Sequence, residues 1–119
     1  MFVYMLGHNE NHWEEINKIA NHLNLEVKVI PVFAEDLQRP GCVKFAVGPN
    51  EFLDLLYNAS YVCTDSFHGL AFSVNFKKNF TVFKRFKNND IKNQNSRVMN
   101  LLEKFALEDR LFEEKSALQ

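Results

Sequence analysis

In the run Tyr61-Val62-Cys63-Thr64-Asp65-Ser66-Phe67-His68-Gly69, an apolar stretch with β preference ends in a polar elbow that carries a histidine into the start of a helix. Ser66 can accept from the free N–H groups of that first turn. Gly69 lets a second backbone or a ligand come close, and His68 stands at the positive end of the helix dipole. Unpaired amides beside an imidazole are chemistry for an anion, held by N–H groups with a proton donor next to it. The same residues also describe a capped helix whose histidine packs or faces water. Asp65 has two readings as well, orienting His68 or closing an Asx turn.

The elements that position this elbow follow from periodicity. Phe2 to Leu6 is a near-continuous apolar run closed by Gly7, which predicts a strand buried on both faces. Glu10 to Leu23 places Trp13, Ile16, Ile19, Ala20 and Leu23 at helical spacing. Leu25 to Val32 is β-rich, Pro40-Gly41 breaks the chain, and Val43 to Val47 predicts a third strand. Gly48-Pro49 opens a helix with Glu51 at its positive end and Phe52, Leu55, Leu56 and Ala59 as its buried stripe. Tyr61 to Thr64 and Phe80 to Phe83 are the fourth and fifth strands, with a short helix from His68 to Phe76 between them. Phe86 to Asn95 is polar without periodicity and is expected to be a mobile loop. Ser96 reads as the N-cap of a last helix presenting Val98, Leu101, Leu102 and Phe105, after which Leu111 and Phe112 dock and the tail frays. Strands alternating with helices predict an α/β fold, a three-layer Rossmann-like parallel sheet.

In such a sheet ligands lie beyond the carboxyl ends of the strands, where every following loop and helix N-terminus opens. One rim would then gather Gly7-His8-Asn9, Gly48-Pro49-Asn50, the elbow and Lys84-Arg85-Phe86-Lys87. Arg suits bidentate contact with phosphate or carboxylate, and Lys supplies a point charge. Lys84 and Arg85 could equally solvate a strand end, and His8 reads first as a solvated loop residue. His12 and His22, at polar or flanking positions of the first helix, receive no role. Arg97, in the first turn of the last helix, opposes the dipole, so a bound anion or a carboxylate would explain it better than helix stability.

The 119 residues suffice for one domain with a real core, rich in its twelve phenylalanines. A net charge of −1 with both signs dispersed gives no reason to expect nucleic acid or a membrane surface as partner. No apolar run reaches the length of a membrane span and the first residues carry no signal-peptide pattern, so a cytoplasmic protein is expected. Cys42 and Cys63 are isolated thiols without metal or redox spacing; no metal is expected, and Cys63 reads as a small buried apolar residue.

Gly48-Pro49-Asn50-Glu51-Phe52-Leu53, the run from Ala59 through the elbow to Ser73, Phe80-Thr81-Val82-Phe83, Asn95-Ser96-Arg97-Val98 and Leu107-Glu108-Asp109-Arg110-Leu111 occur in this order. From Val47 to Phe112 the chain thereby resembles the C-terminal part of the polysaccharide pyruvyl transferase family. Tyr4-Met5-Leu6-Gly7 and the helix after it resemble the opening of that family's C-terminal domain. The resemblance implies transfer of pyruvate from phosphoenolpyruvate to a sugar acceptor as a ketal, in exopolysaccharide biosynthesis, on a glycosyltransferase-B-like fold of two domains. It puts His68 in the catalytic position and Lys84 and Arg85, with Lys87 as a competitor, among the phosphate-binding cations. Ser66, Gly69, Gly48 and Arg97 complete the expected substrate-binding set. No cofactor is implied, since phosphoenolpyruvate is a substrate. Residues 1–119 would form one α/β domain, the C-terminal fragment of a longer transferase. Without the N-terminal domain the fragment is expected to be nearly inactive and to bury its open face by self-association as a homo-oligomer. Two other readings are a half-domain of a nucleotide-sugar glycosyltransferase and a non-catalytic binding module.

Overall fold

The computed structural model describes residues 1–84 and 94–112. Five short strands, β1 (Phe2–Tyr4), β2 (Lys28–Val29), β3 (Val62–Thr64), β4 (Phe80–Phe83) and β5 (Leu111–Phe112), form one sheet in the order β2-β1-β3-β4-β5. Every pairing is parallel. The chain leaves β1 for β2 on one side and then returns to β3 on the other. The topological switch, where neighbouring loops diverge and leave a crevice, therefore falls between the carboxyl ends of β1 and β3.

Alternation along the strands divides the core into two layers. Phe2, Val62, Phe80 and Val82 face one side and pack with Leu56 of α2 (Pro49–Tyr57), Leu70 of α3 (Phe67–Asn75) and Val98 and Leu102 of α4 (Gln94–Lys104). Val3, Met5, Cys63 and Phe83 face the other and meet Trp13, Ile16 and Ala20 of α1 (Glu10–Leu23). The architecture is thus α/β, a parallel sheet between helical layers, consistent with a Rossmann-like fold. Local sequence agrees: the Asn9 side chain accepts from the amides of Asn11 (2.9 Å) and His12 (3.3 Å) at the start of α1. Asn24 ends that helix in the left-handed conformation, at φ 55°.

Three segments depart from the periodic reading. Val43 to Val47 is not a strand: Cys42 alone forms a parallel bridge with Val29, and the Val43 amide donates to the Val29 carbonyl (2.9 Å). The cause is the brevity of β2, which occupies only Lys28–Val29 of the β-rich stretch and offers no longer edge to pair with. At the other edge, Leu111–Phe112 pairs with Val82 and Phe83 as a strand. α4 begins at Gln94, so Ser96 lies inside the helix instead of capping it. Most of the loop expected from Phe86 to Asn95, with Arg85 and Lys87, and the tail beyond Phe112 lie outside the described residues.

Candidate functional site

The elbow after β3 is tied to the end of β1 by side chains of its own sequence. The Thr64 hydroxyl donates to the Tyr4 carbonyl (2.7 Å) and accepts from the Ser66 amide (3.1 Å). The Asp65 carboxylate accepts from the amides of Leu6 (2.7 Å, Oδ1) and Gly7 (2.9 Å, Oδ2). One buried side chain thus joins the two loops that border the switch-point crevice. Ser66 caps α3 by accepting from the Gly69 amide (3.3 Å), and the Ser73 hydroxyl donates to the Gly69 carbonyl (2.7 Å). Thr64, Asp65, Ser66 and Ser73 are all buried. Their hydrogen bonds offset the desolvation that burial imposes on polar groups.

Gly69 has a packing role that the sequence left open between backbone and ligand: what comes close is Thr64. A β-carbon at position 69 would stand 2.7 Å from Thr64 Oγ1 and 3.1 Å from its Cγ2. His68, one residue earlier in the first turn of α3, is exposed. Its neighbour Phe67 carries the Arg97 guanidinium over its ring, 4.2 Å from the centroid. An arginine from α4 is therefore brought beside the beginning of α3, and a cation–π contact now accompanies its place near the positive end of its own helix.

Because all strands are parallel, a residue that directly follows a strand lies on the same edge as the elbow, whereas Gly48 follows no strand. Lys84 follows β4 directly, its amide donating to the Phe112 carbonyl (3.2 Å), on the same sheet edge as the elbow. Gly48 precedes α2, and its amide donates to the Glu51 carboxylate (2.9 Å). Arg85 lies outside the described residues.

Two histidines acquire surroundings that periodicity did not suggest. His12, expected at a polar position, is buried at 4% exposure against Phe83 (5.0 Å between ring centroids) and Phe112 (5.9 Å). Its burial depends on β5, the strand that the sequence reading missed. His8, in the loop after β1, has Nδ1 2.6 Å from Glu35 Oε1 and its ring 3.6 Å from that of Phe33. Phe33 and Glu35 belong to a 3-10 segment (Ala34–Gln38) and its cap, held by Asp36. That carboxylate accepts from the amides of Val32 (3.0 Å) and Phe33 (2.9 Å) and from Arg39 Nε (3.0 Å). Burial alone would push its pKa up; the two amides and the guanidinium outweigh it and hold Asp36 below the usual carboxylate range. An acidic residue at the third position of a turn, three residues before Arg39, was the available sequence signal.

Burial pushes the Cys63 thiol up to about 12, so it is a core group and not a nucleophile. Among the described residues no three His, Cys, Asp or Glu side chains converge as a metal site, and no helix is long and apolar enough to cross a membrane.

Residues 3–85 match the family model described as polysaccharide pyruvyl transferase. The match spans β1 through the elbow to the end of β4. It takes in the Tyr4-Met5-Leu6-Gly7 opening as well as the motifs from Gly48 to Phe83, and stops before the Asn95 and Leu107 motifs that also suggested the resemblance. Comparisons with curated proteins and with solved structures return no match. The matched segment makes up well over half of the sequence and contains both loops of the switch-point crevice, so the chain belongs to the polysaccharide pyruvyl transferase family.

Proposed function

We propose that this chain forms the donor-binding half of a pyruvyl transferase site that moves pyruvate from phosphoenolpyruvate to sugar hydroxyls as a ketal. The observation that carries the reading is the place of His68: exposed, in the first turn of α3, beyond the carboxyl end of a strand that borders the topological switch. Family membership supplies the reaction class. The start of α3 and the cations Lys84, Arg85 and Arg97 would neutralise the phosphate and carboxylate of the donor. Gly48, at the mouth of α2, would border the same rim.

In this mechanism protonated His68 delivers a proton to C3 of the donor while C2 becomes oxocarbenium-like. A first acceptor hydroxyl bonds to C2 and loses its proton. The C2–O bond to phosphate then breaks, a second hydroxyl closes the ketal, and its proton leaves with inorganic phosphate. The acceptor side of the cleft would come from another domain, as in a two-domain, glycosyltransferase-B-like arrangement. A donor drawn from central metabolism would place the reaction in the cytoplasm.

The test is a calorimetric titration of phosphoenolpyruvate into the wild-type protein and the His68→Ala, Lys84→Ala, Arg85→Ala and Arg97→Ala variants, beside nucleoside diphosphates. Weaker donor binding in the variants is expected. Equal affinity in all five proteins would remove the site assignment, and binding of nucleoside diphosphates alone would favour nucleotide-sugar transfer.

A further inference from the structure

His8 and Glu35 form an imidazole–carboxylate pair on the edge of the sheet that carries the elbow. Three observations make the pair more than a surface contact. Nδ1 of His8 is 2.6 Å from Glu35 Oε1, and the ring lies 3.6 Å from Phe33 at an interplanar angle of 31°, so the plane and one nitrogen of the imidazole are both fixed. The segment presenting Phe33 and Glu35 is itself fixed by buried Asp36, which takes the Val32 and Phe33 amides and Arg39 Nε. On the other side, His8 directly follows Gly7, whose amide is held by Asp65 of the elbow. His8 and His68 are therefore each within three residues of one buried clamp, on the two loops that flank the switch point.

A carboxylate on Nδ1 selects the tautomer in which Nδ1 carries the proton and Nε2 has the lone pair. Exposed as the side chain is, that lone pair is open to a ligand. We infer that His8 is the acid–base residue that takes the proton of the acceptor hydroxyl from the donor half of the cleft, with Glu35 as its positioning residue. The inference rests on the pyruvyl transfer reading. Nε2 of His8 takes the proton of the attacking hydroxyl, whose O–H pair stays on oxygen while an oxygen lone pair forms the new O–C2 bond; the C2=C3 π electrons have already taken the proton that His68 gives to C3. His8 ends protonated and His68 deprotonated, and exchange with water resets both.

The experiment combines nitrogen-15 NMR of the histidine rings with phosphate release from phosphoenolpyruvate, measured for the full natural chain on hexosides bearing a free 1,3-diol. In the wild-type protein neutral His8 should show the Nδ1–H tautomer. Glu35→Leu should return it to the Nε2–H form usual in water, while Glu35→Gln, whose amide oxygen still accepts, should keep it. His8→Gln should lower kcat by about 10²-fold or more, the scale of general acid–base catalysis, with the KM for phosphoenolpyruvate within about twofold. Glu35→Leu should lose about tenfold in kcat, with Glu35→Gln restoring most of it. Phosphoenolpyruvate should perturb the His68 resonances in the same samples.

No response of His68 to phosphoenolpyruvate overturns the transfer reading and this role with it. A response at His68 with a His8 tautomer indifferent to Glu35→Leu overturns the pair alone. An unchanged kcat in His8→Gln overturns its part in catalysis. Melting curves of each variant identify any loss that comes from unfolding.

Discussion

Gly69→Ala tests whether the elbow is fixed by packing. The added β-carbon would sit 2.7 Å from Thr64 Oγ1, 3.1 Å from Cγ2 and 3.2 Å from Cβ, so no single rotation of Thr64 clears all three. Thr64 is also held in its rotamer by its bonds to the Tyr4 carbonyl and the Ser66 amide. Overpacking of this kind costs about 1–3 kcal/mol. Turning Thr64 away instead forfeits two buried hydrogen bonds at about 1 kcal/mol each. Alanine recovers at most about 1 kcal/mol through helix propensity. The net expectation is a loss of about 0–3 kcal/mol, centred at roughly 1–2, read as a lower urea midpoint at unchanged slope. Thr64→Ala removes Oγ1 and Cγ2, the two nearest of the obstructing atoms, so the double variant should be more stable than the sum of the two single losses by about 1 kcal/mol or more. A Gly69→Ala variant more stable than wild type, or strict additivity with Thr64→Ala, would refute the packing argument and leave Gly69 free for the ligand-approach role.

Other perturbations probe the same framework. Asp65→Ala leaves the part-buried Leu6 and Gly7 amides without their acceptor and should cost about 2–6 kcal/mol in chemical denaturation, from the usual 1–3 kcal/mol per stranded donor, toward the lower end because water can reach them. Because the Asp36 pKa is depressed on folding, its contribution is present above the unfolded carboxylate value of about 3.9 and is lost as pH falls through the lower folded value. Melting temperatures between pH 2 and 7 should therefore fall less steeply on the acid side for Asp36→Asn than for wild type, from a lower neutral starting point. The Cys63 thiol, buried and pushed up to about 12, should resist iodoacetamide at pH 8 in the folded protein and react in urea, as followed by peptide mass mapping.

Much of the framework was legible because it rests on short-range rules. The apolar runs at Phe2, Val62 and Phe80 and the spacing of Trp13, Ile16 and Ala20 gave a parallel sheet with helices on it. Ser66 as the cap of α3 could be read from residue type alone. What escaped depends on partners distant in sequence. Val43 to Val47 has strand composition, but pairing needs an edge, and two residues of β2 supply little. Leu111–Phe112 looks like a tail until Val82 and Phe83 are beside it, and the burial of His12 follows from that pairing. Asp65 has two local readings, orienting His68 or closing an Asx turn, whereas its carboxylate reaches amides 58 and 59 positions away. His8 seemed a lone polar loop residue because Phe33 and Glu35 meet it only once β1 and β2 lie side by side.

Both borders of the sheet are stubs: Cys42 touches β2 through one bridge, and β5 contributes two residues. A long bare border invites other chains to add themselves, and hydrophobic strands such as Val82-Phe83 would be a ready template for that. These two scraps of backbone act as hems. Cutting the chain ahead of Leu111 would unpick one of them, and the first symptom should be insolubility before any change in what the crevice binds.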